Sequence, residues 1–232
     1  MARAATMRVG AQPTRTRQST RTRQSAGDRR KSILAAAQKV FLERGYAQAS
    51  IDAVVELAGG SKATVYQQFG NKEGLLGALV AEGAEELAHL VHALPLDGAL
   101  EESLRAFGRG YLNLIMRPDR LALFRLTIGE CGRVPEVGDA FYRTGPQTVA
   151  KYMTEFFRGV AAAGLIETTD PERTAHQFIH GLRGDVYLQA LLNPTRRPTE
   201  SEFSKHIDFV VETFLDGARP AWGLTELKPR RI

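Results

Sequence analysis

The stretch Ser50–Lys72 reads SIDAVVELAGGSKATVYQQFGNK. Ile51, Val54, Val55 and Ala58 recur at i, i+3, i+4 and i+7, one apolar face of a short helix. Ser50 stands at its N-cap position, and Asp52 lies in the first turn, where the helix dipole favours an anion. Gly59 ends it, because glycine enters the left-handed region without a Cβ penalty. Ser61 is placed to cap a second helix that carries Val65 and Phe69 inward at i and i+4. Lys62, Ala63, Thr64, Tyr66 and Gln67 are then left on its outer face. Two helices across a tight glycine turn, the second presenting a cation, a small residue, a hydroxyl, a phenol and an amide, describe a helix-turn-helix over Ser50–Phe69.

The outward side chains suit duplex DNA. In a major groove Lys62 reaches phosphate or a guanine O6/N7 edge, and Ala63 is small enough to touch a thymine methyl. Thr64 bonds a base edge or a phosphate, and Gln67 is bidentate to adenine. Tyr66 is expected on phosphate, setting register rather than reading sequence. Ser50, at a helix N-terminus, is a second phosphate contact, and Lys72 a third. The next helix begins at Lys72 and points its orphan N–H groups outward beside that ammonium, a phosphate clamp. One such helix reads too few bases to be specific. A homodimer on a palindromic double-stranded site is therefore expected.

Charge is unevenly placed. Of the chain's net +5, residues 1–31 carry +8 and the remaining 201 residues carry −3. Residues 1–27 contain a tandem repeat, TRTRQS at 14–19 and again at 20–25, and few large apolar residues. Such a segment cannot bury enough to offset its ordering entropy and reads as disordered on its own. Its arginines, Arg15, Arg17, Arg21 and Arg23, read as an arm on phosphates or in a minor groove, against which stands a plain solvated tail. The single cysteine, Cys131, excludes an internal disulfide framework and suits a reducing cytoplasm. No apolar run approaches the roughly 20 residues needed to span a bilayer.

Around the central stretch the chain is helical. Asp28–Arg44 has the inner stripe Ile33, Ala37, Val40 and Phe41 and stops at Gly45, with Tyr46 packing beneath the turn. Lys72–His92 reads as one long linking helix, and Leu94-Pro95-Leu96-Asp97-Gly98 breaks it. Helical patterns then cover 98–116, 120–131, 138–163, 171–192 and 200–217, and strand alternation of useful length is missing. The fold class expected is all-α: three helices for a DNA-binding domain over 28–75 and six for a second domain over 76–218, with an irregular tail over 219–232.

At these residues the chain resembles the TetR family of bacterial transcriptional regulators. The resemblance rests on Gly45-Tyr46, on Ser50-Ile51, and on the run from Ala58 through Ser61, Lys62, Thr64, Tyr66, Phe69, Lys72 and Glu73 to Leu75. It covers about residues 29–79. Two positions depart from the family pattern: Gly60 replaces a usual Val, and Gln67-Gln68 replaces a basic or aromatic residue followed by His. The second half resembles, more loosely, the ligand-binding and dimerisation domain of AefR-like regulators, through Leu123–Leu126, Gly129-Glu130, Pro135-Glu136, Phe141-Tyr142, Gly145-Pro146, Gly164–Ile166 and Asp170-Pro171. The resemblance implies a repressor released by a small-molecule effector. It implies a dimer interface on 171–192 and 200–217, with Phe178, Ile179, Leu182 and Val186 and Phe203, Ile207, Val210, Val211 and Phe214 as apolar faces. It also implies an effector pocket drawing on Phe107, Tyr111, Phe124, Tyr152, Phe156 and Tyr187, with Arg125, His180 and Arg183 orienting a polar group.

Other chemistry is not supported by the residue pattern. His176 and His180 stand at i, i+4 but lack a third ligand close in sequence, so no metal site is expected. Nucleotide-loop, hydrolase and metalloprotease motifs are missing, and neither a cofactor nor a catalytic residue is assigned. The rival to an effector-controlled regulator is a constitutive or architectural DNA binder that relies on its basic arm.

Overall fold

Helix α4 (Lys72–His92) is the rod on which the rest is hung, and the two ends of its buried face enter different cores. The computed structural model describes residues 26–94 and 100–218. The arm arginines Arg15, Arg17, Arg21 and Arg23, the tail 219–232 and most of the break after Leu94 lie outside the described residues.

Before α4 come α1 (Ala26–Gln48), α2 (Ile51–Ala58) and α3 (Lys62–Phe69). After it come α5 (Leu100–Ile115), α6 (Pro118–Cys131), α7 (Pro135–Thr144), α8 (Pro146–Ala162), α9 (Pro171–Leu192) and α10 (Glu200–Ala218). The fold is all-α, and among the described residues no strand occurs.

The N-terminal core gathers Ile33, Leu34, Ala37, Val40 and Phe41 of α1 with Val54, Val65 and Phe69. Leu75, Leu76, Leu79 and Val80 of α4 complete it, together with Leu123 of α6 and Val137 of α7. The second core takes over at Ala84, Leu87 and Val91 of α4 and runs through α5, α8, α9 and α10. The helix-turn-helix end is thus sealed partly by α6 and α7, helices that the sequence assigns to the second domain. A Gln38–Asp119 hydrogen bond of 3.0 Å ties α1 to α6 beside this seam.

Two helices differ from the expected pattern. The expected helix over 138–163 is two, α7 and α8, because Gly145 leaves helical geometry (φ −108°, ψ −89°) and Pro146 opens the next helix. Proline has no N–H to continue the ladder and displaces its predecessor from the α region. The second part therefore holds seven helices where six are expected, α4 included. Helix α9 is broken at Gly184, whose φ of 44° and ψ of −156° are not helical. The His206 ring of α10 fills the break, its Nε2 lying 2.8 Å from the freed Leu182 carbonyl. A Cβ at residue 184 would stand 2.6 Å from that ring, so glycine is needed there both for φ and for space.

Candidate nucleic-acid interface and the interior cavity

Two serine caps set the angle of the helix-turn-helix. Ser50 Oγ accepts from Ala53 N and Ser61 Oγ from Thr64 N, each at 3.2 Å. Both serines adopt the extended backbone typical of an N-cap. Val65 and Phe69 are buried and pin α3 to the head, while Arg30 lies over the Phe69 ring at 4.8 Å. The outer face of α3 is open: Lys62, Ala63, Gln67 and Gln68 are exposed, Tyr66 is 51% exposed, and Thr64 is half-buried. Thr64 Oγ1 stands 3.0 Å from Ser61 Oγ, so its hydroxyl is shared with the cap. Lys62 pairs with Asp52 of α2 at 2.6 Å in full solvent, and that hydrogen bond raises its pKa. A phosphate or base contact by Lys62 has to displace a carboxylate already in place.

Lys72, expected on phosphate, is engaged within the chain. Its ammonium donates to the carbonyls of Tyr46 (2.8 Å), Ala49 (3.3 Å) and Ala47 (3.4 Å) and sits 4.3 Å from the Tyr46 ring centroid. Those carbonyls lie past the kink of α1 at Gly45 (φ 75°), at the helix end, where the last carbonyls have no helical N–H donor ahead of them. Lys72 therefore clasps α1 to the start of α4. Tyr46 completes the clasp: it is buried, stacks on Phe41, and donates its hydroxyl to Glu73 at 2.8 Å. Burial first, and that hydrogen bond second, push its phenol well above the ordinary range, so it stays a donor. The outward N–H groups of α4 remain, with Asn71 as the cap accepting from Gly74 N at 2.7 Å.

Gly60 is explained by a neighbour far away in sequence. The Arg29 guanidinium of α1 donates to the carbonyls of Ala58 (3.2 Å) and Gly59 at the end of α2, and a Cβ at residue 60 would fall on it. The apolar contact missing from the turn is replaced by a charged C-cap.

In the second part a cavity of about 80 Å³ lies between α4, α5, α6, α7, α8 and α9. Of the residues expected in a pocket, Tyr111, Phe124, Arg183 and Tyr187 line it. Arg183 Nε donates to the Tyr111 hydroxyl at 2.6 Å and its guanidinium lies against the Tyr187 ring. Burial pushes the Tyr187 phenol up to about 12, against the pull of Arg183. The other expected residues go elsewhere. Phe107 and Phe156 are core, Phe107 stacking on Tyr111 at 5.5 Å and Phe156 packing on Phe157 at 5.6 Å. Tyr152 pairs with His92, outside the cavity. Arg125 caps the end of α9 on the carbonyls of Ala190 and Leu191. His180 lines a neighbouring hollow that shares Phe124, Phe141 and Arg183 with the cavity. Sequence reasoning missed Val80, Gly83, Ala84 and Leu87, because α4 reads as a linker, and it missed Arg120 of α6. Small residues at 83 and 84 on an otherwise leucine-rich face were the available signal.

The expected dimer faces also divide. Phe178, Ile179, Leu182, Ile207 and Val211 are buried inside this chain and Val186, Phe203, Val210 and Phe214 are half-buried, while Leu188 and Leu192 of α9 and Phe209 of α10, not expected there, are exposed. The His176 and His180 rings stack at 6.0 Å, and among the described residues no group of three or more His, Cys, Asp or Glu is placed to hold a metal ion. Among the described residues no helix is long and apolar enough to cross a membrane.

Known proteins share both halves. Residues 33–79 match the family described as bacterial regulatory proteins, tetR family, and residues 102–217 match the AefR-like transcriptional repressor C-terminal domain. A TetR-family regulator from Mesorhizobium loti superposes with a TM-score of 0.72 at 28% identity, over 84% of this chain and 98% of that one. The flavonoid-responsive regulator FrrA superposes at 0.70 with 32% identity, over 84% of this chain and all of that one. The Bacillus subtilis regulator YhgD is 29% identical over 152 residues, 64% of this chain and 77% of its own. With a capped helix-turn-helix at one end and an AefR-like helical domain at the other, the chain belongs to the TetR family of DNA-binding transcriptional regulators.

Proposed function

We propose that the chain is a repressor that binds a palindromic operator as a homodimer and is released by a small molecule held in the cavity. The observation that carries this reading is the continuity of α4: its first turns hold the DNA-reading core, and its middle, at Gly83, Ala84 and Leu87, walls the cavity. Arg120 strengthens the link. It lines the cavity and donates to the Leu79 carbonyl of α4 at 2.7 Å. An occupant that shifts α4 changes the spacing of two heads that must sit roughly 34–36 Å apart in successive major grooves. Effector and operator then oppose each other by one reciprocal factor.

On DNA, α3 contributes Lys62, Ala63, Thr64, Tyr66 and Gln67, and Ser50 adds a phosphate contact. The orphan N–H groups at the start of α4 hold a second phosphate, with Lys72 positioning them. The exposed Leu188, Leu192 and Phe209 supply the apolar part of the dimer face. The units are a DNA-binding domain over 28–75 and a ligand-binding and dimerisation domain over 76–218.

The strongly basic start of the chain favours a second reading, a constitutive binder whose arm supplies the affinity. Deleting residues 1–27 separates the two. Under the repressor reading, specific operator binding survives and only the salt slope falls, by about 0.9 for each lost phosphate contact. Loss of specific and non-specific binding together supports the arm.

A further inference from the structure

Two guanidinium groups, Arg120 and Arg183, face the cavity, and no Asp or Glu lines it. Arg183 spends Nε on Tyr111 and has no ion pair, so among the described residues its two terminal amino groups meet no protein acceptor. Tyr111 is 1% exposed; its oxygen accepts from Arg183, and its own proton has no protein acceptor among the described residues. Burial raises that phenol's pKa, partly opposed by Arg183, so Tyr111 stays a donor. Arg120 gives one amino group to Leu79, but its Nε is buried with no hydrogen-bond partner. The nearest acid, Asp119, is 3.9 Å from that Nε and already accepts from Gln38. A buried donor left without an acceptor is costly and uncommon, and Arg120 Nε is one; beside it the same apolar space is lined by the open amino groups of Arg183 and the hydroxyl of Tyr111.

We propose that the cavity takes a small amphipathic anion, an aromatic or branched carboxylate, whose charged end is received by Arg183 with Tyr111 and Arg120. Its apolar body lies among Leu114, Phe124, Phe141 and Val149. This rests on the reading of the cavity as the effector site and adds the class of effector. At about 80 Å³ the cavity is below the roughly 300–1,000 Å³ of ordinary ligand sites, so a ring-sized occupant must displace side chains. The neighbouring hollow that shares Phe124, Phe141 and Arg183 is where they can go. A carboxylate that draws on Arg120 competes with its bond to Leu79, which carries the signal into α4.

The test is calorimetric titration of the full-length chain with 2-naphthoate and with its neutral isostere 2-naphthamide. The wild type should bind naphthoate at least about tenfold more tightly, the effect of one hydrogen bond to a charged group. The preference should fall below about threefold in Arg183→Gln. Arg183→Lys should keep part of it, and Arg120→Gln should weaken it independently. Melting curves confirm that each variant is folded, and unchanged naphthamide affinity shows that the cavity is intact. Equal affinities in the wild type, or a naphthoate preference that survives both glutamine variants, would overturn the proposal. If naphthamide binds equally well and still releases operator DNA, the effector reading stands and the anion assignment falls. If neither compound saturates, the anion assignment falls too, and the effector reading is then judged by operator release with a cell extract.

Discussion

Replacing Lys72 with methionine keeps the apolar stem and removes only the ammonium. The structure allows the cost to be worked out. One short charge-assisted bond to Tyr46 O and two longer ones are lost, together with a cation over the Tyr46 ring at 4.3 Å. A hydrogen bond to a charged group contributes about 1.5–3 kcal/mol and an exposed cation–π contact about 0.5–1 kcal/mol. Lys72 is half-buried, so water returns some of this to the variant. A net loss of about 2 kcal/mol follows. In a chain of this size it lowers Tm by about 4–8 °C. Thermal melts of both proteins at one fixed protomer concentration measure it, because association alone shifts Tm. Operator affinity, measured across salt concentrations in parallel, should weaken at every salt with little change in slope. An unchanged Tm with a slope reduced by about 0.9 would refute the reasoning and return Lys72 to phosphate.

Asp52→Asn should release Lys62 and tighten operator binding while lowering stability by only about 1 kcal/mol, since an exposed ion pair and an anion in a helix's first turn each contribute little; Lys62→Ala should lower the salt slope by about 0.9 in fluorescence-anisotropy titrations. Gly60→Ala should cost at least about 1–2 kcal/mol in denaturant unfolding, from its φ of 93° and the Arg29 guanidinium beside it; adding Arg29→Ala should not restore the loss, because the backbone strain remains. His206→Ala bares the Leu182 carbonyl in the break of α9 and should cost about 1–3 kcal/mol in the same assay, with Gln a partial rescue.

The helix-turn-helix was legible because its determinants are local. Serine caps, glycine stops and i, i+4 apolar pairs act within one or two turns, and Ser50, Gly59, Ser61, Val65 and Phe69 occupy the places their chemistry dictates. What was not legible depends on partners distant in sequence. Lys72 on the carbonyls at the end of α1 and Arg29 over Gly60 are contacts across 23 to 30 residues. The expected pocket follows from the family resemblance, and an aromatic facing the core looks the same in sequence as one facing a cavity. Phe107 and Phe124 differ only in which neighbour stands opposite. The split at Gly145-Pro146 is a local signal masked by the long apolar pattern around it. The break at Gly184 was not local in that sense, since its acceptor is satisfied by His206 of another helix.

Under the proposed function, two copies of α3 read one palindrome. Selection of bound sequences from a random duplex library by the full-length chain tests it most directly. The expected result is enrichment of an inverted repeat, with half-site centres about 10–10.5 base pairs apart or a multiple of that, and its loss in Tyr66→Ala with Gln67→Ala. Enrichment of a single asymmetric site, or of no sequence above background, would contradict it.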